Sequence, residues 1–223
     1  MTYELTRDRV EHYFDRTATK VWERLTSDAP VSRIRETVRK GRDQMRETLL
    51  SALPADLTGV RVLDAGCGAG QMTHELAMRG ADVTAVDISP SLVKIARDRL
   101  PETLHARVRF KSGDMLSPDL GAFDHVIAMD SLIYYTEADI RKALANLGER
   151  TSGSVAFTVA PRTPLLMGMW YAGKVFPKSD RSPTMIPHGP QRLAKTVSDI
   201  GQLSELGRIT SGFYISQALE FRP

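Results

Sequence analysis

The chain has little of what would point to a secreted or membrane-spanning protein. Its 223 residues include a single cysteine, Cys67, so no internal disulfide is possible, which fits a reducing compartment. No stretch approaches the ~18 consecutive apolar residues of a spanning helix, and the N-terminus is too densely charged for a signal peptide. The net charge of only +3 does not indicate nucleic-acid binding. We therefore expect a soluble, cytoplasmic protein with no nucleic-acid partner.

The basic residues are concentrated in two segments, 31–46 and 161–195, on either side of a more acidic middle. One interpretation is that both segments are simply solvated helix faces. The other is that they attract an anionic ligand or an anionic membrane surface. The sequence leaves both interpretations open.

The pattern of apolar residues predicts two N-terminal helices and then a doubly wound α/β sheet. The helices are expected at 3–25 and at about 31–53, with Ser32 or Asp28 as the cap of the second. Short apolar runs then alternate with helical stretches, which requires crossovers and so predicts a mostly parallel sheet. The predicted strands are 60–64, 81–87, 108–114, 123–130 and 154–160, and the intervening helices lie near 71–79, 91–100 and 137–150.

The regular alternation ends after residue 160. A segment with many prolines, rich in Met, Trp and Tyr, precedes a helix expected near 190–200. Two closing strands, 202–210 and 213–221, are predicted around Ser211-Gly212. The composition, 42% hydrophobic and 26% charged, is that of one ordinary globular domain.

The first predicted strand ends in Asp64 and is followed by a turn with glycines at 66, 68 and 70. Glycines allow a backbone to approach a ligand closely and to adopt positive φ. A dinucleotide-binding turn would need its third glycine at position 71, which is Gln71. The spacing of the glycines therefore argues against a dinucleotide-dependent oxidoreductase, which we rank last among the possible functions of this chain.

The next three predicted strands also end in aspartates. Asp87 is suited to accept hydrogen bonds from both hydroxyls of a ribose. Asp114 with Met115 is suited to an adenine. The carboxylate can accept a hydrogen bond from the exocyclic amine, and the apolar side chain can cover the ring. Asp130 closes the fourth strand. Ligands gather at the carboxyl ends of parallel strands, so we expect a binding site there; the alternative is a set of capping or turn aspartates.

These motifs resemble the seven-stranded class I methyltransferases, which use S-adenosylmethionine. The resemblance covers roughly residues 58–160 and the last two strands. It implies that the glycine turn meets the amino-acid part of the cofactor, that Asp87 with Ile88 holds the ribose, and that Asp114 with Met115 holds the adenine. The cofactor-binding residues implied are Asp64, Ala65, Gly66, Gly68, Gly70, Asp87, Ile88, Asp114, Met115 and Asp130.

Other segments are similar to the magnesium-protoporphyrin IX O-methyltransferases, most closely to those of purple photosynthetic bacteria. The matching segments are Tyr13-Phe14-Asp15-Arg16, Trp22, 31–46, 130–135, Phe176-Pro177 and 180–183. The resemblance implies esterification of the 13-propionate of magnesium-protoporphyrin IX in bacteriochlorophyll biosynthesis. It also implies an N-terminal lid and substrate region at 1–57, and a methyltransferase domain at 58–223 with a substrate-covering insert at 161–189.

A propionate needs no strong general base, because a carboxyl with a pKa of about 4.3 is already ionised at neutral pH. The site has to orient the reactants and exclude water. Tyr13 and Tyr134 are the predicted catalytic, positioning residues; the alternative for each is an ordinary core tyrosine. Some relatives have His at the position of Tyr134, which favours hydrogen bonding or stacking over acid–base chemistry.

The five histidines show no metal-ligand spacing, so no protein-bound metal is expected. His188 is either an axial ligand of the porphyrin magnesium or an exposed loop residue. The resemblance implies magnesium-protoporphyrin IX as the partner, and the basic segments then dock on the photosynthetic membrane or on the magnesium chelatase subunit that delivers the porphyrin. The alternative functions are methylation of a quinone or lipid, and non-catalytic porphyrin carriage.

Overall fold

The structure is a computed structural model that describes residues 3–18, 32–164, 166–168 and 183–223. Several predicted features lie outside these ranges. They are the C-terminal part of the first helix with Trp22, and most of the Met-, Trp- and Tyr-rich insert with Phe176-Pro177.

A mostly parallel sheet forms the centre of the described structure. Its strands are β1 (Arg61–Ala65), β2 (Asp82–Asp87), β3 (Val108–Ser112), β4 (Phe123–Ala128), β5 (Thr151–Pro161), β6 (Pro187–His188), β7 (Gln202–Ser211) and β8 (Tyr214–Arg222). The order is β3-β2-β1-β4-β5-β8-β7, and the short β6 pairs with β5 off this path. Strands β1 to β5 run parallel, while β8 is antiparallel to both β5 and β7. The predicted doubly wound fold is confirmed; β6 is a small addition.

Helices cover both faces of this sheet. They are α1 (Tyr3–His12), α2 (Arg33–Leu50), α3 (Gln71–Met78), α4 (Pro90–Arg99), α5 (Glu137–Gly148) and α6 (Pro190–Val197). The Ser32 side chain caps α2 by accepting from the N–H of Arg35, and Thr136 with Asp139 forms a capping box on α5. The predicted first helix differs: α1 ends at His12 and a π-helical segment, Tyr13–Ala18, follows.

Alternate side chains of the strands enter two separate apolar cores, one on each face. In β1, Leu63 packs with Phe157 in one core, whereas Val62 packs with Met45 and Leu76 in the other. All of these side chains are fully buried, as expected for strands covered on both faces. None of the helices in the described ranges has both the length and the apolarity needed to span a bilayer.

Helix α2 is fixed against the β7–β8 hairpin. The hydroxyl of Ser211 donates to the carbonyl of Thr37 at 2.8 Å. A Cβ at Gly41 would lie 2.7 Å from a ring carbon of Tyr214, so only glycine permits this approach. The docking holds the N-terminal half of α2 beside the start of β8, at the carboxyl end of β5.

Candidate active site

A cavity of about 360 Å³ lies at the carboxyl ends of the central parallel strands. The turns after β1, β2 and β4 form its floor, and residues of α1, α2 and the β7–β8 hairpin form its walls. Its volume is near the lower end of the ~300–1,000 Å³ of typical ligand pockets. The location is the one expected for a ligand site in a doubly wound sheet.

The glycine turn after β1 brings bare backbone to the cavity. The N–H groups of Gly66 and Cys67 donate to the carbonyl of Val86 at 2.8 and 2.9 Å. Gly66 has a φ of 88°, and a Cβ there would lie 2.5 Å from the Cβ of Ser131. Beside Gly68 the space is open. This turn therefore leaves room for a ligand against the peptide backbone.

Two of the predicted cofactor-binding residues, Gly70 and Ala65, make packing contacts beside the turn. Gly70 caps α3 with a φ of 85° and approaches Ala96 so closely that a Cβ would lie 2.9 Å from it. Ala65 is buried in the apolar core. Neither is among the cavity-lining residues of the described chain, so their direct contact with a cofactor stays a prediction.

Asp64 lies at the floor of the cavity and is 1% exposed. Its carboxylate accepts a hydrogen bond from the hydroxyl of Thr73 at 2.5 Å. Burial raises the pKa of Asp64 to about 7, and the nearby charge of Asp87 adds to the rise, while the bond from Thr73 opposes it. A cation in the cavity would favour the ionised form.

Asp87 closes β2 and is held rigidly by backbone. Its two oxygens accept from the N–H groups of Gly68 and Ser89, each at 2.9 Å. Burial raises its pKa. A carboxylate oxygen has two acceptor positions, so both oxygens can still accept from a pair of hydroxyls. Ile88 also lines the cavity, and the ribose-binding role of these two residues stays a prediction.

Asp114 faces the cavity two residues beyond the end of β3, and α1 reaches it from the opposite side. The hydroxyl of Tyr3 donates to it at 2.7 Å and Arg7 at 3.3 Å. The ring of Tyr3 also stacks on Tyr135, with centroids 4.9 Å apart. Met115 lines the cavity nearby. Sequence reasoning missed Tyr3 and Arg7, whose four-residue spacing on one helix face was the available signal.

Asp130 closes the turn after β4 with a φ of 57°, the one positive φ of a non-glycine residue among the described residues. Arg42 donates to its carboxylate at 2.6 Å and the hydroxyl of Tyr214 at 3.0 Å. Burial, with the adjacent Asp130, raises the pKa of Tyr214. Asp130 thus holds two wall residues in place. Its predicted direct contact with the cofactor stays a prediction.

The two predicted tyrosines are placed differently. Tyr134 lines the cavity and is 8% exposed. Phe14 also lines the cavity and meets Tyr134 edge-on, with centroids 6.4 Å apart. Tyr13 packs against Phe14, with ring centroids 5.2 Å apart, and is not among the residues that line the described part of the cavity. The positioning role predicted for Tyr13 stays a prediction.

No group of three or more His, Cys, Asp or Glu side chains suited to a metal ion occurs in the described part of the chain. His188 is buried, and its Nε2 lies 3.0 Å from the carbonyl oxygen of Tyr135. Burial lowers the pKa of His188, so the ring is neutral near pH 7. It is neither an exposed loop residue nor among the lining residues that the structure describes.

The cavity fits a nucleoside that carries positive charge. It offers an open backbone turn at Gly68, a rigid carboxylate at Asp87 and a second carboxylate at Asp64 whose ionisation a cation would favour. Ile88 and Met115, which follow Asp87 and Asp114 in the chain, add apolar surface to the lining. These features are the ones that S-adenosylmethionine requires.

Comparisons with known proteins agree with this description. The family model "Magnesium-protoporphyrin IX methyltransferase C-terminus" matches residues 128–223, and a general methyltransferase domain model matches 62–151. The magnesium-protoporphyrin O-methyltransferase of Rhodobacter capsulatus is 58% identical over 99% of this chain and 98% of its own length.

Solved structures give the same relationship. Magnesium protoporphyrin IX methyltransferase from Synechocystis PCC 6803 with bound S-adenosylhomocysteine superimposes with a TM-score of 0.83 and 28% identity, covering all of both chains. The same enzyme with bound S-adenosylmethionine gives a TM-score of 0.78 and 26% identity, covering 98% of this chain and 97% of the other.

Proposed function

The chain belongs to the magnesium-protoporphyrin O-methyltransferase family, and from this premise we propose that it methylates a propionate of magnesium-protoporphyrin IX with S-adenosylmethionine. The product is the monomethyl ester, an intermediate of bacteriochlorophyll biosynthesis, and the esterified group is the 13-propionate. The observation that carries the proposal is the convergence of Asp64, Asp87 and Asp114 with a bare glycine turn on one cavity.

S-adenosylmethionine supplies an electrophilic methyl group on a sulfonium. The acceptor carboxylate is ionised at neutral pH and attacks without a general base. The protein has to align the two groups and remove water from the carboxylate. Tyr134, with Phe14 against it, lies in a mostly apolar part of the cavity, and we assign the positioning of the propionate to its hydroxyl. The ring of Tyr13 packs against Phe14, and we assign to it a positioning role that acts through Phe14.

The porphyrin ring lies at the mouth of the cavity. At about 360 Å³ the cavity is too small to enclose both the cofactor and a tetrapyrrole. Phe213, which is 67% exposed, and Met185, which is 43% exposed, both line the cavity at its edge. Exposed large apolar side chains of this kind mark a surface for a flat apolar ligand, and a propionate can then reach inward.

Contacts with other partners form a separate part of the proposal. Arg33, Arg35 and Lys40 are exposed on α2, within the first basic segment. They contact either the porphyrin-binding subunit of magnesium chelatase or the anionic surface of the photosynthetic membrane, where the protein is then peripheral. Sedimentation with anionic vesicles supports the membrane, and co-purification with the chelatase subunit supports the protein partner.

Incubation of the purified chain with methyl-labelled S-adenosylmethionine and a panel of acceptors tests the function. We expect mass analysis to show one added methyl on magnesium-protoporphyrin IX and none on a quinone. Methylation of the quinone alone would favour the other methyltransferase alternative. A shift of the porphyrin Soret band on binding without any methyl transfer would favour a carrier.

A further inference from the structure

His188 is a buried histidine on β6 whose position is fixed by the backbone around it. It is 5% exposed, and it is paired with Pro161 in the ladder between β5 and β6. Its carbonyl accepts from the N–H of Arg162 at 3.0 Å, and α6 begins two residues later, at Pro190. Because the chain is held on both sides of His188, its imidazole has a defined place in the structure.

The imidazole is bonded to a backbone carbonyl. Its Nε2 lies 3.0 Å from the carbonyl oxygen of Tyr135, in a buried contact. A carbonyl can only accept, so Nε2 carries the proton and donates. Tyr135 stands just before Thr136, the N-cap of α5, and a carbonyl at that place lies outside the hydrogen bonds of the helix. The side chain of His188 therefore satisfies a buried acceptor that α5 does not satisfy.

A second bond from the same segment holds the other side of Tyr134. The N–H of Ile186 donates to the carbonyl of Ile133 at 2.8 Å. The two residues that accept from this segment, Ile133 and Tyr135, are the neighbours of Tyr134 in the chain. The backbone of Tyr134 is thus held on both sides, while Tyr134 itself lines the cavity.

Resting on the proposed function, we infer that His188 is a positioning residue for methyl transfer: by donating to the carbonyl of Tyr135, it holds the hydroxyl of Tyr134 where the propionate binds. A group that acts on a reactant has to be held within about 0.5 Å of its productive place, and a displaced hydroxyl would no longer orient the carboxylate. His188 is not among the lining residues that the structure describes, so its effect passes through Tyr134.

Steady-state kinetics with magnesium-protoporphyrin IX tests this role. His188→Leu removes the donor and should lower kcat about tenfold, while the affinity for S-adenosylhomocysteine in calorimetric titration should change by less than about twofold. His188→Gln keeps an N–H donor and should restore kcat to within about threefold of the wild type. His105→Leu is the matched control, because the Nε2 of His105 also lies 3.0 Å from a backbone carbonyl, that of Leu100. This control should leave kcat unchanged.

A double-mutant cycle with Tyr134→Phe shows whether the effect passes through the tyrosine hydroxyl. If it does, adding His188→Leu to Tyr134→Phe should lower kcat further by no more than about twofold. If the two losses multiply instead, His188 acts elsewhere and the inference is wrong. An equal loss of kcat and of affinity for S-adenosylhomocysteine in His188→Leu would assign the histidine to the fold of the site, which also overturns it.

The same assays distinguish a failure of this role from a failure of the proposed function. If the wild type is active and His188→Leu retains its full kcat, only the positioning role fails. If the wild type transfers no methyl group to magnesium-protoporphyrin IX, the proposed function fails, and the role of His188 fails with it.

Discussion

Asp64 makes cofactor binding dependent on pH near neutrality. With a pKa of about 7, its carboxyl is mostly protonated below pH 7 and ionised above. The positive charges of S-adenosylmethionine favour the ionised form. We therefore expect affinity to rise between pH 6 and 8, with protons released on binding. Titration calorimetry in buffers of different ionisation enthalpy measures the release.

Asp64→Asn is the control for this prediction, because an amide keeps an acceptor for Thr73 but cannot titrate. The variant should bind more weakly and lose most of the proton release. Unchanged release in Asp64→Asn would assign the titration to another group, and Asp87, whose pKa burial also raises, is the next candidate.

The hydroxyl of Tyr134 should matter for turnover more than for cofactor affinity. Tyr134 lines the cavity beside Phe14, where we place the propionate. Loss of one hydrogen bond to a charged group costs about 1.5–3 kcal/mol, so Tyr134→Phe should lower kcat about tenfold or more. Affinity for S-adenosylhomocysteine should not change. Tyr134→His keeps a donor and should retain more activity.

The same kinetic assay decides the role of Tyr13. This ring packs against Phe14 and is not among the residues that line the described part of the cavity, so Tyr13→Phe should have a small effect. A loss of kcat equal to that of Tyr134→Phe would place Tyr13 at the acceptor.

At the scale of elements, α1 is attached to the cavity through one carboxylate, and we expect it to act as a cover. Tyr3 and Arg7 both bind Asp114, and Tyr3 stacks on Tyr135. Tyr3→Phe removes the hydroxyl but keeps the ring, so α1 should open more often and S-adenosylhomocysteine should dissociate several-fold faster. Stopped-flow measurement gives this rate, and hydrogen exchange of α1 should rise in parallel. Leu5→Ala, at an exposed position of α1, should change neither.

The turn of the β7–β8 hairpin should determine affinity for the porphyrin but not for the cofactor. Phe213 is 67% exposed at the edge of the cavity. An aromatic ring that packs on the macrocycle contributes about 0.5–1.5 kcal/mol beyond its buried area, so Phe213→Ala should weaken magnesium-protoporphyrin binding about tenfold. The shift of the Soret band measures it. Met78→Ala, at an exposed site on α3, serves as control, and an equal loss there would contradict the placement.

The elements show why part of this site was predictable and part was not. Strand period, caps and the aspartates at strand ends are local patterns, and they predicted the sheet and the positions of Asp64, Asp87 and Asp114. Tyr3 and Tyr214 reach the cavity from distant elements, through contacts with Asp114 and Asp130. Such contacts depend on how helices and hairpin dock, which no local spacing records. The change from α1 to a π-helical segment has no local signal that we can identify.

At the scale of the whole molecule, the cavity joins parts that are far apart in the chain. The carboxyl edge of the sheet, α1, α2 and the β7–β8 hairpin all contribute to it. A ligand that binds only the folded state stabilises it by about 2.7 kcal/mol at 100 times its Kd. For a protein of this size that should raise Tm by roughly 5–10 °C, which scanning fluorimetry with S-adenosylhomocysteine measures.

Asp87→Ala separates this stabilisation from a general effect of the ligand. The carboxylate of Asp87 is held by Gly68 and Ser89, and without it the ribose loses its acceptors. The variant should therefore lose most of the Tm shift and of the affinity in calorimetric titration. An unchanged affinity would mean that Asp87 does not hold the ribose. Stabilisation of the wild type by a nicotinamide dinucleotide would instead favour the oxidoreductase alternative. It would mean that the glycine turn accepts a pyrophosphate, although Gln71 stands where dinucleotide-binding turns have a glycine.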